Sequence, residues 1–314
     1  GLLLLPRRGD AQYTLARLLD ERGDLSDAAP HYAIAVHVKD DDPAWHFDYA
    51  RCAHRVGDAS DDYDVQTAMF VAADSSYTAA ILLEPTPPRH YHRGMLRRAH
   101  RQIGDGVYLY SEVADDFKQV LSLDPEHVDA RYHLGLTYVD MEQDSRARQT
   151  FRSLLQLHPK YVDAHAELGA IAEREQEYEK AINEYEAELR VAPDSARAHF
   201  RVGYLYQVSR GDPGTASDHL SKAVELDPTS ADAHVEFGRV LYQLDRLRAA
   251  ADQFERALKI EGRNLTANYN LAMVYQYMDR RTLAVERFRY LLTLDLPGAW
   301  KAEAEGYLRQ LEAQ

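Results

Sequence analysis

The chain has 314 residues, 28% of them charged and 45% hydrophobic, with a formal net charge of -14. That acidity argues against a surface given over to nucleic acid, and the single Cys52 excludes a disulfide framework, an iron–sulfur cluster, a multi-cysteine zinc site and thioether-linked haem. No apolar run is long enough to cross a bilayer, sparse Gly and Pro argue against long flexible linkers, and one cysteine suits a reducing cytoplasm and a disulfide-free exported chain alike, so the compartment stays open.

Residues 1–9 read as an apolar then basic tail, Leu2, Leu3, Leu4 and Leu5 followed by Pro6, Arg7, Arg8 and Gly9, with Pro6 and Gly9 set against a helix. Gly1 stands where a Met would start a chain, so it reads as a fragment edge or a processed terminus. Residues 10–127 read as three helical pairs. The first, 10–42, is capped by Asp10 and broken at Gly23, with Ala16, Ala28, Tyr32 and Ala35 as packing residues. In the second, 43–86, a first helix from Trp45 to Val56 turns at Gly57-Asp58, and a long second helix, about two turns longer than usual, ends on Tyr77, Ala80 and Pro85. The third, 87–127, starts at Pro87-Pro88, breaks at Gly104-Asp105-Gly106 and closes on Phe117 and Pro125; the register is loosest between 58 and 112.

From 128 to 298 a fixed period governs the sequence. A small residue recurs as Gly135, Gly169, Gly203, Gly238 and Ala272. A second recurs as Ala147, Ala181, Ala216, Ala250 and Ala284, each followed by a large one: Phe151, Tyr185, Leu220, Phe254 and Phe288. The closing positions are Pro159, Pro193, Pro228 and Gly262, and then Pro297 one place late. The spacing is 34 residues except in one copy of 35, whose extra residue is expected in the turn Arg210–Gly214. A period of this length marks stacked supersecondary units. Small residues let the two helices of a pair approach, large ones fill the groove to the next pair, and proline stops the second helix. Residues 299–314 read as a final capping helix with Trp300, Ala304, Tyr307 and Leu311 on one face.

These positions resemble those of the tetratricopeptide repeat over about 290 residues, five copies of it in good register. The resemblance implies an all-α, right-handed superhelical solenoid of antiparallel helix pairs, about eight repeats plus the capping helix, with first helices lining a concave face that binds partner peptides or helices. It implies no catalysis and no cofactor. By the family's repeat positions the partner-binding groove comprises Tyr132, Leu136, Arg197, Phe200, Tyr204, Arg239, Tyr242, Tyr269, Met273 and Tyr277, with the bland Ala166 and Ala170 between. Such an aromatic and arginine set suits an apolar segment carrying acidic groups. The lysine–asparagine clamp of chaperone-tail readers and the asparagine ladder of sugar transferases are both missing from the regular copies.

Arg89, Arg93, Arg97 and Arg101, with Arg98 beside them, form a helical stripe that meets either an anionic partner or the acids Glu112, Asp115 and Asp116. Neither the fourteen histidines nor the Asp58, Asp61, Asp62, Asp64 cluster has metal-site spacing, so no metal is expected, and Asn264-Leu265-Thr266 reads as a helix cap rather than a glycosylation site. The leucine tail reads as a disordered end or as a link between copies, giving a ring or filament. The leading expectation is therefore a non-enzymatic scaffold binding a protein or peptide, the alternatives being a self-assembling homo-oligomeric subunit or a module of a larger enzyme such as a transferase; nucleic acid and membrane span are not expected.

Overall fold

The computed structural model describes residues 5–100, 102–103 and 106–313, with 5–7 and the strand residues 102, 103, 106 and 107 described by their backbone alone. Among these, first helices α1 (Leu5–Arg22), α3 (Pro43–Ala59), α5 (Pro87–Ala99), α7 (Val128–Asp140), α9 (Ala164–Arg174), α11 (Ala196–Leu205), α13 (Ala231–Gln243) and α15 (Leu265–Tyr277) alternate with second helices. The latter are α2 (Leu25–Val38), α4 (Tyr63–Leu83), α6 (Tyr110–Leu123), α8 (Asp144–Leu157), α10 (Tyr178–Val191), α12 (Pro213–Leu226), α14 (Leu247–Ile260) and α16 (Arg281–Leu291), and α17 (Gly298–Ala313) closes the chain. The chain divides into two compact units, residues 1–159 and 160–314, holding α1–α8 and α9–α17. Within each unit every helix packs on the helices before and after it in sequence, which makes each an all-α solenoid segment.

One large side chain per pair anchors the packing. Tyr32, Tyr77, Phe117, Phe151, Tyr185, Leu220, Phe254 and Phe288 are all 0–1% exposed. Burying each contributes about 1.5–3 kcal/mol against solvent exposure. Opposite them sit residues with no room to grow: a Cβ on Gly135 would lie 2.6 Å from Phe151 Cε1, and one on Gly238 would lie 2.7 Å from Phe254 Cε1. The first helices of regular pairs end on a left-handed residue at the same period, at Glu142, Gln176, Gly211, Asp245 and Asp279 (φ 56–61°). A helix closed this way reverses in two or three residues.

Four expectations are corrected. α1 already runs from Leu5, so residues 5–9 are helix rather than tail. Pro6 falls in the first turn, where its missing N–H costs no hydrogen bond, and Gly9 is buried, with a Cβ there 3.0 Å from Val38 Cγ1. Leu2, Leu3 and Leu4 lie outside the described residues. Gly57 is not a turn: it is buried inside α3, where a Cβ would meet Phe70 Cε1 at 2.4 Å. The second pair is lengthened in both arms, 17 residues in α3 and 21 in α4 against 13 and 14 in α13 and α14. The third pair gains no helix. Its extra residues form an antiparallel ribbon, β1 (Gln102–Ile103) with β2 (Gly106–Val107), between α5 and α6.

The 35-residue copy absorbs its extra residue before the turn. Tyr206–Arg210 form a single π turn continuing α11, closed by Gly211 at φ 60° and by the Asp212 N–H donating to the Tyr206 carbonyl. At the other end, α17 buries Ala304 and Leu311, stacks Tyr307 on Phe288 (ring centroids 5.6 Å) and exposes Lys301, Glu303, Arg309 and Glu312.

Candidate functional site

The first helices carry the expected groove residues, and the two units hold different shares of them. α7 in the first unit carries Tyr132 and Leu136, with the Tyr132 ring 5.9 Å from Phe151. α9, α11, α13 and α15 of the second unit carry the rest. There, Phe200, Tyr204, Tyr242 and Tyr269 on first helices are half-buried and Tyr277 is exposed, whereas Tyr185, Phe254 and Phe288 on second helices are fully buried. Phe200 and Tyr204 stack along α11 at 6.5 Å, and the Arg201 guanidinium lies over both, 5.8 and 5.3 Å from their centroids. Tyr242 on α13 meets Tyr277 on α15 at 5.5 Å, and Tyr277 is 61% exposed. Burial and the Tyr277 hydroxyl push the Tyr242 phenol up to about 12. Met273 is half-buried and packs against the core of the second unit.

Three arginines on this face hold carboxylates of their own unit. Arg197 donates to Glu167 at 2.9 Å, Arg239 donates to Glu236 at 3.0 Å, and Arg201 donates through two nitrogens to Glu173. Arg197 and Arg201, with Arg174, Glu173 and Tyr185, wall an open cleft of about 470 Å³ beside the small Ala170. The bland Ala170 therefore contributes space. Two amide oxygens on the same face, Gln207 Oε1 in the π turn and Gln276 Oε1 on α15, are buried and have no hydrogen-bond donor among the described residues. Buried acceptors of this kind call for a donor from water or a ligand.

Tyr269 on α15 is half-buried like Tyr204 and Tyr242; its ring packs on Trp300 of the capping helix at 5.6 Å, and burial followed by Glu303 pushes its phenol pKa up.

The arginine stripe of α5 is turned inward. Arg93 grips Asp116 through Nε and a terminal nitrogen, the shortest contact being 2.6 Å, and also donates to Thr78. Arg97 grips Asp74 at 2.6 Å and reaches Asp116 at 3.5 Å, Arg89 holds Glu84 at 2.7 Å, and Arg98 holds Asp140 at 3.1 Å. Arg89, Arg93 and Arg97 side chains are 9–15% exposed, so they do not face an external anion; Arg101 lies outside the described residues. The partners are Asp74 and Asp116, while Glu112 caps its own helix at Leu109 N and Asp115 pairs with Lys118. Asp116 is 2% exposed; burial alone would raise its pKa, but the His90 and Arg93 hydrogen bonds and the two guanidiniums outweigh this and hold it below the usual carboxylate range.

The remaining sequence features resolve locally. Asp62 caps α4 by accepting from Asp64 N and Val65 N, and Asn264 caps α15 by accepting from Ala267 N at 2.9 Å. One grouping was not legible: His54 and Asp58 of α3 meet His100 at the end of α5. The signal available was weak, a His and an Asp four apart on a helix, with the third member 42 residues on.

Models of the tetratricopeptide repeat match residues 13–64, 134–196 and 207–264, more than half of the chain. The chain belongs to the tetratricopeptide repeat family. None of the curated proteins compared with it matches. Among solved structures, this tetratricopeptide repeat chain is similar to PilF of Pseudomonas aeruginosa (TM-score 0.58, 15% identity, 70% of this chain and 97% of that one). It is also similar to a tetratricopeptide repeat protein from Parabacteroides merdae (0.56, 18%, 85% and 99%). A third is YrrB, described as having an unusual peptide-binding site (0.56, 21%, 62% and 99%). At these identities the likeness extends to the fold alone. Repeats of this family serve as protein–protein interaction scaffolds, and no helix among the described residues is long and apolar enough to cross a membrane.

Proposed function

We propose that the first-helix face of the second unit, from Arg197 to Tyr277, binds a segment of a partner protein without catalysing a reaction on it. The observation that carries this reading is the row of rings left open on first helices, Phe200, Tyr204 and Tyr242 half-buried and Tyr277 61% exposed. Aromatic rings flanked by arginine are the usual anchors of interfaces. Arg197 and Arg239 support an acidic component in the partner: their side chains are 53% and 42% exposed while their own carboxylates, Glu167 and Glu236, are only 12% and 15% exposed, so the open sides of the guanidiniums have donors left for a further carboxylate.

The test is capture of the partner from native lysate by the full chain, followed by affinity measurement with the captured segment. Tyr204→Ala combined with Arg239→Ala should weaken binding by about 30-fold or more, as loss of two anchor residues does, with the helical circular dichroism unchanged. Undiminished binding by the double variant overturns the assignment of this face.

Self-association remains the second reading because α1, which continues from the leucine tail, exposes Leu15 (41%) and Leu18 (54%). Light scattering of the chain with and without residues 2–4 tests it; a monomer in both, across a wide concentration range, removes it.

A further inference from the structure

The lengthened second pair brings His54, Asp58 and His100 together in the first unit, and we propose that they form a binding site for a borderline divalent cation, Zn2+ in the first instance. His100 Nε2 lies 3.1 Å from Asp58 Oδ1, His54 Nε2 lies 3.5 Å from Asp58 Oδ2, and the three donor atoms lie within 4.8 Å of one another. Tetrahedral ligands about 2.0–2.1 Å from zinc stand roughly 3.4 Å apart, so an ion fits among these atoms with small side-chain shifts. Two imidazole nitrogens and one carboxylate oxygen suit zinc, cobalt, nickel or copper, whereas calcium and magnesium demand more oxygen ligands.

The surroundings hold the ligands in place. His54 and Asp58 are one turn apart on α3, so both project from the same face. Phe70 stacks on the His100 ring at 3.8 Å and 23°, fixing its plane. Phe70 itself is wedged against Gly57, in the extension that no regular repeat possesses. The His54 and His100 side chains are 16% and 29% exposed, while Asp58 is 53% exposed, which leaves one side open to a water as fourth ligand. On loading, each imidazole shifts its proton from Nε2 to Nδ1 and offers the Nε2 lone pair. The metal replaces the two imidazole–carboxylate contacts and ties the far end of α3 to the end of α5.

Two points set this apart from a triad held by hydrogen bonds alone. Zinc should bind the tag-free full chain one to one in competition with a chromogenic chelator, and cobalt should give the visible absorption of a four-coordinate site. Replacing His100→Gln or Asp58→Asn should each weaken zinc binding by at least about tenfold, a loss the exposed His37→Gln does not produce. Circular dichroism checks that the variants fold, and zinc-dependent shifts of the His54 and His100 imidazole resonances test the site in the unaltered chain. No zinc binding at millimolar metal, binding indifferent to both substitutions, or imidazole resonances that zinc leaves unmoved would each overturn the proposal.

Discussion

Replacing Asp116 with asparagine preserves the shape of the side chain, removes its charge, and should cost the first unit about 3–5 kcal/mol at neutral pH, the range found when one partner of a buried ion pair is removed. Among the described residues Arg93 makes its bidentate contact with Asp116 and otherwise donates to the Thr78 hydroxyl; its side chain is 15% exposed. An asparagine amide turns an N–H toward that guanidinium, so a buried cation loses its counter-charge. Arg97 suffers less, because it keeps Asp74 at 2.6 Å. The chain has two tryptophans, Trp45 in the first unit and Trp300 in the second, so urea unfolding followed by fluorescence reads each unit separately in a Trp300→Phe or Trp45→Phe background. In a stack, distant sites act nearly independently, so the second unit should move by less than about 0.5 kcal/mol. The acid dependence has a definite sign. The Asp116 pKa is lowered from 3.8 by folding, so its contribution is complete above the unfolded carboxyl range and is lost as pH falls through the lower folded value. The gap between wild type and variant should therefore start to close near pH 3.8 and vanish below the folded pKa. A first-unit change under about 1 kcal/mol at pH 7, or an equal change in both units, would refute the reasoning.

The small-residue rule makes a paired prediction. Gly238→Ala forces a methyl to 2.7 Å from the fully buried Phe254 ring, while a Cβ at Gly306 in α17 would meet no packing neighbour within 4 Å among the described residues. Overpacking costs about 1–3 kcal/mol and helix propensity returns about 1 kcal/mol, so Gly238→Ala should destabilise the second unit and Gly306→Ala should stabilise it by up to about 1 kcal/mol; equal shifts in chemical denaturation would contradict the packing account. Cys52 is fully buried, donates toward the Leu25 carbonyl at 3.6 Å, and has its thiol pushed up to about 12 by burial. At pH 8 an aromatic disulfide reagent should label it only at the rate of local opening and react at once in denaturant; rapid labelling of the native chain would show that α3 does not seal it.

The regular repeats were legible because their determinants are local. A glycine and a ring 16 residues apart, as in Gly135 and Phe151, Gly169 and Tyr185 or Gly238 and Phe254, report a single contact, and Gly203 meets Leu220 in the same way at 17. The stretched second pair obeys the same contact rule but repeats it within one pair. Ala50 and Tyr77 keep the ordinary positions, and Gly57 and Phe70, each seven residues further toward the turn, add a second layer. Read along the sequence, Gly57 marks a helix end; only the antiparallel partner shows it to be packing. Repeat numbering placed Tyr204, Tyr242 and Tyr277 on first helices, where they lie, yet it had no means of seeing that Tyr269 packs on Trp300 or that Arg201 lies over two rings.

The departures from the period also explain why the first unit can bury charge. Tyr108, in the segment after the ribbon, donates to Asp74 at 2.8 Å and lies 4.6 Å from the Arg97 guanidinium. A standard turn between α5 and α6 has no residue to place there. The added segment thus covers an ion pair whose partners are separated by 23 residues in sequence and whose side chains are 12–13% exposed. Covering it removes water from both ions, which is costly unless each keeps a full set of partners. Arg97 has Asp74 and Asp116, and Asp74 has Arg97 and Tyr108. The stripe that looked like a surface for an outside anion is therefore self-satisfied, because the inserted residues that blur the repeat register are the ones that close over it.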